Sequence, residues 1–143
     1  MTLFKHILLS AGLSLSAETT ALAQALYHEA RGEGYHGQIA VGLVIKNRVL
    51  SDRWPNSIHG VIHQPYQFSY VHEMDDKTMH NEDARQTAYR AAQAVLYSDQ
   101  WPSMGNVVFY HTDAVKPLWD YSKLQKEVVV GNHVFYSCVV SSC

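Results

Sequence analysis

The sequence has few cysteines, almost no imbalance of charge and no apolar run of membrane-spanning length. Two cysteines in 143 residues exclude a disulfide-rich scaffold. The net charge is −2 and the 11 lysines and arginines are scattered, so the basic patch of a nucleic-acid module is missing. The sequence therefore predicts no nucleic-acid partner and no stable insertion into a membrane.

The N-terminal segment, residues 1–17, has two interpretations. Lys5 precedes the apolar run Ile7–Leu15, which resembles the core of an export signal. Cleavage after Ala17, however, would leave Leu15 at a position where a small residue is required. We therefore favour an ordinary buried first helix, with a weak signal as the alternative.

The rest of the chain has the composition of one folded domain. Apolar residues make up 47% of the sequence, and 143 residues suffice to bury a core without disulfides or metal ions. We expect residues 18–137 to form this domain and residues 138–143 to form a short tail. Cys138 and Cys143 in the tail are either joined by a disulfide or free, and the oligomeric state is left open.

A first helix is predicted to continue as far as Arg31, with Ser16 or Thr19 as its N-cap. Gly32 and Gly34 follow and are expected to end it. The residues that recur at helical spacing are Leu22, Ala25, Leu26 and Glu29. Glu29 is therefore expected in the last turn, at the edge of the core.

Two further helices and three strands complete the expected fold. A helix from about Gly37 to Leu50 is apolar on nearly every side, and a helix from Glu82 to about Tyr97 has a face of small residues. Residues 52–70 contain two prolines and are expected to form an ordered loop with short extended pieces. NVVFYHT predicts a strand, and EVVVGNHVFYS predicts a hairpin that turns at Gly131 and Asn132. Helices followed by strands predict an α+β domain.

The stretch YHEARGEGYH, residues 27–36, contains the best candidate for acid chemistry. Glu29 stands beside apolar side chains, where loss of water raises the pKa of a carboxyl group. The negative end of the helix dipole acts in the same direction. A glutamic acid that stays protonated near neutrality can donate a proton to a glycosidic oxygen. Glu29 is therefore the candidate acid, and a purely structural glutamate at a helix end is the alternative.

A metal site in this stretch is not expected. The zinc-binding HExxH arrangement places two histidines four residues apart on one helical face, whereas two glycines separate His28 from the more distant His36. No further ligand pattern follows, so the sequence predicts no metal and no cofactor.

Two charged neighbours of Glu29 have separate expectations. Glu33 would share a helical face with Glu29 only if the helix were unbroken, and the intervening glycine makes that register doubtful. Arg31 would lower the pKa of Glu29 if it lay close. We therefore expect Arg31 to point elsewhere, and a loop-bracing salt bridge is its alternative role.

Several segments occur together in one order: EARGE, GQIAVGLVIKNRV, WPNSIHGVIHQPYQFSYV, an alanine-rich helix, NVVFYHTDAV and GNHVFYS. Their combination, from about Ala21 to Tyr136, resembles the cell wall hydrolase family of the spore-cortex-lytic enzymes, the SleB/CwlJ type. The resemblance implies a glycosidase that cleaves peptidoglycan. It also implies a fold related to lysozyme and the lytic transglycosylases, with N-terminal helices and a small antiparallel C-terminal sheet.

The resemblance further implies roles for particular residues. The first glutamate of the EARGE motif is the catalytic acid of the family, and this position is Glu29. Several more residues would bind substrate or support the site, and for the aromatic ones ordinary packing is the alternative. They are Glu33, Gln67, Phe68, Ser69, Phe109 and Tyr110. Asn47 and Arg48 also match a family position, and we expect them to make hydrogen bonds at the end of their helix.

The resemblance favours a lytic transglycosylase, in which the 6-hydroxyl of muramic acid attacks the anomeric carbon, so that one acid is enough. A hydrolytic muramidase would need a second carboxylate, for which Glu33, Glu73 and Asp75 are the candidates. An amidase built on histidines, and a non-catalytic module that holds glycan or belongs to an assembly, are also left open. The expected partner is the glycan strand of peptidoglycan, in the cell envelope or outside the cell, and the source is bacterial or phage.

Overall fold

The computed structural model of the protein describes residues 17–98, 104–140 and 143. The choice between an export signal and a first helix falls on residues 1–16, which lie outside the described residues. Helix α1 occupies residues 17–30. Thr19 is helical and buried within it, so the prediction of Thr19 as the N-cap is wrong, because a cap residue needs a non-helical backbone.

The EARGE motif forms the turn between α1 and α2. A 3-10 turn covers Arg31–Glu33, and α2 covers Gly34–Leu50. Gly34 has a φ of 73°, a conformation that glycine adopts at little cost, so the predicted break between two helices is confirmed. Helix α2 begins at Gly34 rather than Gly37, and its middle is buried as expected.

The prediction of a loop for residues 52–70 is wrong in part, because this segment contains one short helix and the start of another. Helix α3 covers Ile58–Ile62 and helix α4 covers Ser69–Glu73. The Ser57 side chain caps α3 by accepting the Gly60 N–H at 2.9 Å. The two prolines of the segment flank α3 and do not interrupt it. The apolar residues of α3 that face the core are Ile58, Val61 and Ile62.

Helix α5 covers Glu82–Tyr97, as predicted. Asn81 is its N-cap and accepts the Ala84 N–H at 2.9 Å. The face of small residues is confirmed and packs against α2. The buried residues of α5 are Ala88, Ala91, Ala92 and Val95.

The C-terminal part of the chain forms a three-stranded antiparallel sheet in the order β1-β3-β2. Strand β1 covers Val107–Thr112, β2 covers Leu124–Val130 and β3 covers His133–Cys138. The hairpin turns at Gly131 and Asn132, as predicted, and Gly131 has a φ of 58°. The expected α+β architecture is confirmed.

One core joins the helices to the sheet. It includes fully buried residues of α1, α2 and α5, together with Phe68 before α4 and Phe135 of β3. Cys138 and Cys143 are joined by a disulfide, which decides between the two alternatives for the tail. Within the described ranges, no helix combines the length and the apolar character needed to cross a membrane.

Candidate active site

Glu29 lies in the last turn of α1, on the side of the helix that packs into the core. Leu22 and Leu26 precede it at helical spacing and are 0% exposed, so the helical period places Glu29 on the same side. The Glu29 side chain itself is partly buried. Its expected position at the edge of the core is therefore confirmed.

In the described ranges the Glu29 carboxyl has no charged partner that would stabilise its ionised form. Burial raises the pKa of Glu29 above the ordinary value for glutamic acid. Among the described residues, none forms an ion pair or a hydrogen bond with this carboxyl. Arg31 points elsewhere, as expected, because its guanidinium donates to the Tyr27 hydroxyl at 2.6 Å. Burial therefore favours the protonated form of this carboxyl, which is the form that a proton donor needs.

A cleft of about 510 Å³ opens beside Glu29. The turn before α4 and α4 itself form its wall. Phe68 is only 1% exposed and anchors this turn in the core, whereas Gln67 and Ser69 are exposed. The structure therefore brings Glu29 together with three residues that the resemblance predicts for the site, Gln67, Phe68 and Ser69. The lining residues besides Glu29 are Pro65, Tyr66, Gln67, Phe68, Ser69, His72 and Glu73.

Tyr70, which sequence reasoning missed, lies near Glu29. Its side chain is 4% exposed and stacks on the His28 ring, with the ring centroids 4.8 Å apart. Burial and the charge of Glu29 raise the pKa of the Tyr70 hydroxyl. Within the described ranges this hydroxyl has no hydrogen-bond partner. Buried polar groups normally have one, so the Tyr70 hydroxyl is an exception in this fold.

Tyr110 of β1 approaches Glu29 from the sheet. Burial and then the charge of Glu29 raise the pKa of the Tyr110 hydroxyl, while Arg48 opposes them. Arg48 is itself buried, and it donates to the Val108 carbonyl at 2.8 Å and to Gln67 Oε1 at 3.0 Å. Arg48 therefore ties the end of α2 to both β1 and the cleft wall.

Asn47 beside it donates to the Val107 carbonyl at 2.9 Å. The hydrogen-bonding role expected for Asn47 and Arg48 is confirmed, with the difference that their partners lie on another element. Side chains at the end of α2 thus hold the sheet against the helices.

Phe109 and Tyr110 lie on opposite faces of the sheet, because successive strand residues alternate. Tyr110 faces inward, opposite Phe135 of β3. Phe109 faces outward, against the rings of Trp54 and Trp119. The Glu29 cleft is not lined by Phe109, which borders a separate cavity of about 190 Å³ with Trp119. Phe109 and Tyr110, which the resemblance predicts for one site, therefore lie on opposite faces of the sheet.

Glu33 is not in the cleft lining and serves instead as a brace to the β2–β3 hairpin. Its Oε2 accepts the Asn132 N–H at 2.9 Å, and its Oε1 lies 3.4 Å from Nδ1 of His133. Burial lowers the pKa of His133 in spite of Glu33 nearby, so burial disfavours the charged imidazolium that an ion pair would need. The side chain of Glu33 is 12% exposed.

The His28 ring of the opening stretch contacts a distant part of the chain. Nε2 of His28 lies 2.9 Å from the Lys77 carbonyl, so the ring holds the polar segment that follows α4 against α1. In the parts of the chain that the structure describes, His, Cys, Asp and Glu side chains are nowhere grouped in threes as a metal ion would require. Neither His28 nor His36 is among the residues that line the Glu29 cleft.

Comparison with known proteins decides the family. A sequence profile described as Cell Wall Hydrolase matches residues 32–136, which is most of the chain. This chain belongs to the cell wall hydrolase family. Its fold agrees with that assignment, since the catalytic domain of the germination-specific lytic transglycosylase SleB from Bacillus anthracis superposes with a TM-score of 0.65. The alignment has 33% identity and covers 85% of this chain and 93% of that domain.

Similarity to two spore cortex-lytic enzymes supports the same family assignment. The spore cortex-lytic enzyme of Bacillus subtilis (strain 168) is 36% identical over 115 residues, which cover 80% of this chain and 35% of that protein. The spore cortex-lytic enzyme of Halalkalibacterium halodurans is 39% identical over 114 residues, covering 80% of this chain and 33% of that protein. The chain therefore spans about a third of the length of these relatives. The resemblance stated from the sequence motifs is confirmed.

Proposed function

We propose that this chain cleaves the glycan strands of peptidoglycan as a lytic transglycosylase, with Glu29 as its single catalytic acid. The observation that carries the proposal is an unpaired, partly buried carboxyl with a raised pKa at the edge of a cleft. The similarity to a catalytic domain described as a lytic transglycosylase supports the same reaction. We assign this activity to residues 18–137.

The reaction would use Glu29 twice. Its protonated carboxyl gives a proton to the oxygen between N-acetylmuramic acid and N-acetylglucosamine, and the bond from that oxygen to the anomeric carbon breaks. The 6-hydroxyl of the same muramic acid then attacks the anomeric carbon and transfers its proton to the Glu29 carboxylate. The acid is restored, a 1,6-anhydro ring is formed and no water is consumed.

Two tyrosines and a glutamine would support these steps. Charge that develops on Glu29 lies near the hydroxyls of Tyr70 and Tyr110, which are coupled to it electrostatically. Gln67 lines the cleft and is held by Arg48 at 3.0 Å, so its amide is oriented before substrate binds. Phe68 and Ser69 would shape the wall against which the sugar lies.

The alternative hydrolytic reaction needs a second carboxylate at a suitable distance. Glu33 accepts a backbone hydrogen bond from the hairpin and is absent from the cleft lining. Asp75 is exposed and also absent from that lining, whereas Glu73 lies in the cleft wall. Glu73 is therefore the residue to test for a muramidase reaction.

Product analysis separates the candidates. Purified peptidoglycan is digested with the wild type, with Glu29→Gln and with Glu73→Gln, and the muropeptides are examined by mass spectrometry. We expect 1,6-anhydromuramic acid ends from the wild type and from Glu73→Gln, and no cleavage by Glu29→Gln. Reducing muramic acid ends that disappear in Glu73→Gln would favour the hydrolase instead. A wild type that binds glycan without cleaving it would indicate a non-catalytic module.

A clearing assay addresses the place at which the enzyme acts. A glycan-cleaving enzyme of this kind acts where peptidoglycan is, in the cell envelope or outside the cell. Clearing of intact cells by protein added from outside, compared with clearing of purified walls, measures whether the enzyme reaches the wall unaided.

A further inference from the structure

Tyr66 stands at the rim of the Glu29 cleft and is 99% exposed. It occupies the third position of the turn from Gln64 to Gln67, which is closed by the Gln67 N–H bonded to the Gln64 carbonyl at 3.3 Å. Pro65 takes the second position, as in type II turns. The third position of such turns requires a positive φ and normally holds glycine or asparagine.

The backbone of Tyr66 adopts that unfavourable conformation. Its φ is 66°, and within the described residues no other non-glycine residue has a positive φ. A bulky side chain at positive φ is strained and is normally retained where its surroundings compensate. With 99% of its surface exposed, the Tyr66 ring gains no packing that would compensate the strain. The folded state therefore gives no reason for tyrosine at this position.

We propose that Tyr66 is an aromatic platform on which a sugar ring of the glycan strand stacks when the strand enters the Glu29 cleft. This inference rests on the proposed function, since it takes peptidoglycan glycan as the ligand. The turn presents the ring outward beside the exposed polar residues Gln67 and Ser69, so the ring adds an apolar surface to this side of the rim.

The chemistry of the ligand matches that surface. In β-linked N-acetylhexosamines the ring substituents are equatorial, so each sugar face presents axial C–H groups to a partner. An aromatic face is the complement of such a surface, because it removes apolar area from water and its negative π face attracts the C–H groups. A phenol ring also loses little conformational freedom on binding, since it has only two side-chain torsions.

The test measures binding without cleavage. In a Glu29→Gln parent, calorimetry gives the dissociation constant for peptide-free oligomers of the N-acetylglucosamine and N-acetylmuramic acid repeat. Tyr66→Asn removes the ring and keeps a residue that tolerates positive φ. Tyr66→Phe and Tyr66→Trp keep a ring. Leu50→Asn is the matched control, because Leu50 is an exposed apolar residue that lines a different cavity.

We expect Tyr66→Asn to weaken binding roughly five- to tenfold, in the range of one aromatic contact. Its melting temperature should be no lower than that of the parent. Tyr66→Phe, Tyr66→Trp and Leu50→Asn should bind within about twofold of the parent. Equal binding by Tyr66→Asn overturns the proposal, as does an equal loss in Tyr66→Phe, which would assign the effect to the hydroxyl. A parent that binds no glycan oligomer also counts against it.

Failure of the proposed function would look different. It would appear as a Glu29→Gln variant that still lyses walls, or as a wild type that releases no glycan fragments. The Tyr66 result is a ratio of dissociation constants and does not depend on cleavage, so each proposal can fail alone.

Discussion

The two glutamates of the EARGE motif stand four positions apart and have opposite surroundings. Glu29 lines a cleft, has a raised pKa and forms no ion pair or hydrogen bond among the described residues. Glu33 accepts the Asn132 N–H, lies against His133 and is only 12% exposed. One carboxyl is left available for chemistry, and the other is used to hold the hairpin to the helices.

The difference comes from where the helix ends. Glu29 is in the last turn of α1, whereas Glu33 belongs to the 3-10 turn that follows and leads into Gly34. The break turns Glu33 toward the sheet, so the two carboxyls do not share a helical face. Identical side chains in one short motif therefore acquire different surroundings from the backbone that carries them.

The largest expected effect is on the rate of wall lysis when Glu29 is replaced by glutamine. The same substitution at Glu33 is the comparison. Glu29→Gln should lower the rate of wall lysis at least about a hundredfold, because a general acid contributes that much or more. Glu33→Gln should keep the rate within a few-fold, because the amide oxygen still accepts the Asn132 N–H. Turbidity of purified walls gives the rates and thermal unfolding gives the controls. An inactive but fully folded Glu33→Gln would show that both carboxyls take part in the reaction.

The next largest effect is on stability, at the contact by which Glu33 braces the β2–β3 hairpin. Gly131→Ala would place a β-carbon against Oε2 of Glu33 and would force a non-glycine residue to a φ of 58°. We expect a loss of about 2–4 kcal/mol in the free energy of unfolding. Gly105→Ala has nearly the same φ of 57°, and its β-carbon would meet no described atom within 4 Å, so it measures the backbone part alone.

In a Glu33→Ala background the steric part of the Gly131→Ala effect should disappear, leaving about 1–2 kcal/mol. Denaturant unfolding of the four proteins in this cycle measures the coupling between the two positions. A coupling near zero would mean that Glu33 does not brace the hairpin in solution.

A smaller effect is expected from two buried tyrosines whose hydroxyl groups differ in their hydrogen bonding, as the two carboxyls do. Tyr27 and Tyr70 are both 4% exposed. The Tyr27 hydroxyl accepts from Arg31 at 2.6 Å and from the Asn81 N–H at 3.1 Å. Tyr27→Phe should therefore destabilise the protein by about 1–2 kcal/mol without a matching loss of kcat.

Tyr70→Phe should show the reverse, because the Tyr70 hydroxyl has no partner in the described part of the chain. We expect unchanged or higher stability and a several-fold lower kcat. Thermal unfolding and initial rates, measured on the same preparations, check both halves. A Tyr70→Phe variant that loses stability would mean that its hydroxyl is satisfied inside the fold.

The smallest effect is on the dependence of stability on pH. Burial raises the pKa of Glu29, so the folded state binds its proton more tightly than the unfolded state. The wild type should therefore lose stability as pH rises from the unfolded pKa through the folded pKa, relative to Glu29→Gln, which does not titrate. Lysis should fall over the alkaline part of the same window, where the acid is lost. Parallel stability curves for the two proteins would contradict a raised pKa.

Much of the fold could be predicted because its signals are local. The core position of α2, the bounds of α5 and the turn at Gly131 and Asn132 each follow from spacing or turn chemistry within a few residues. The short helices α3 and α4 were missed. Five residues contain little more than one helical turn, and the prolines on either side of α3 indicate a loop.

The candidate site was predicted less completely. Sequence motifs found Glu29, Gln67, Phe68 and Ser69, which the structure places at one cleft. The alternation of strand residues indicates that Phe109 and Tyr110 face opposite ways, a signal that the motif resemblance did not use. No local pattern indicated Tyr70, which lies near Glu29 because its ring stacks on His28 of α1.

The sequence by itself determined the family, the order of the long helices and the strands, and the placement of Glu29 in an apolar last turn. These properties depend on spacing along the chain, which is visible in the residues. Only the tertiary structure decided which carboxyl stays free and which hydroxyl stays unpaired. The partners of Glu33 and the neighbours of Tyr70 come from distant parts of the chain, and burial depends on all of them at once.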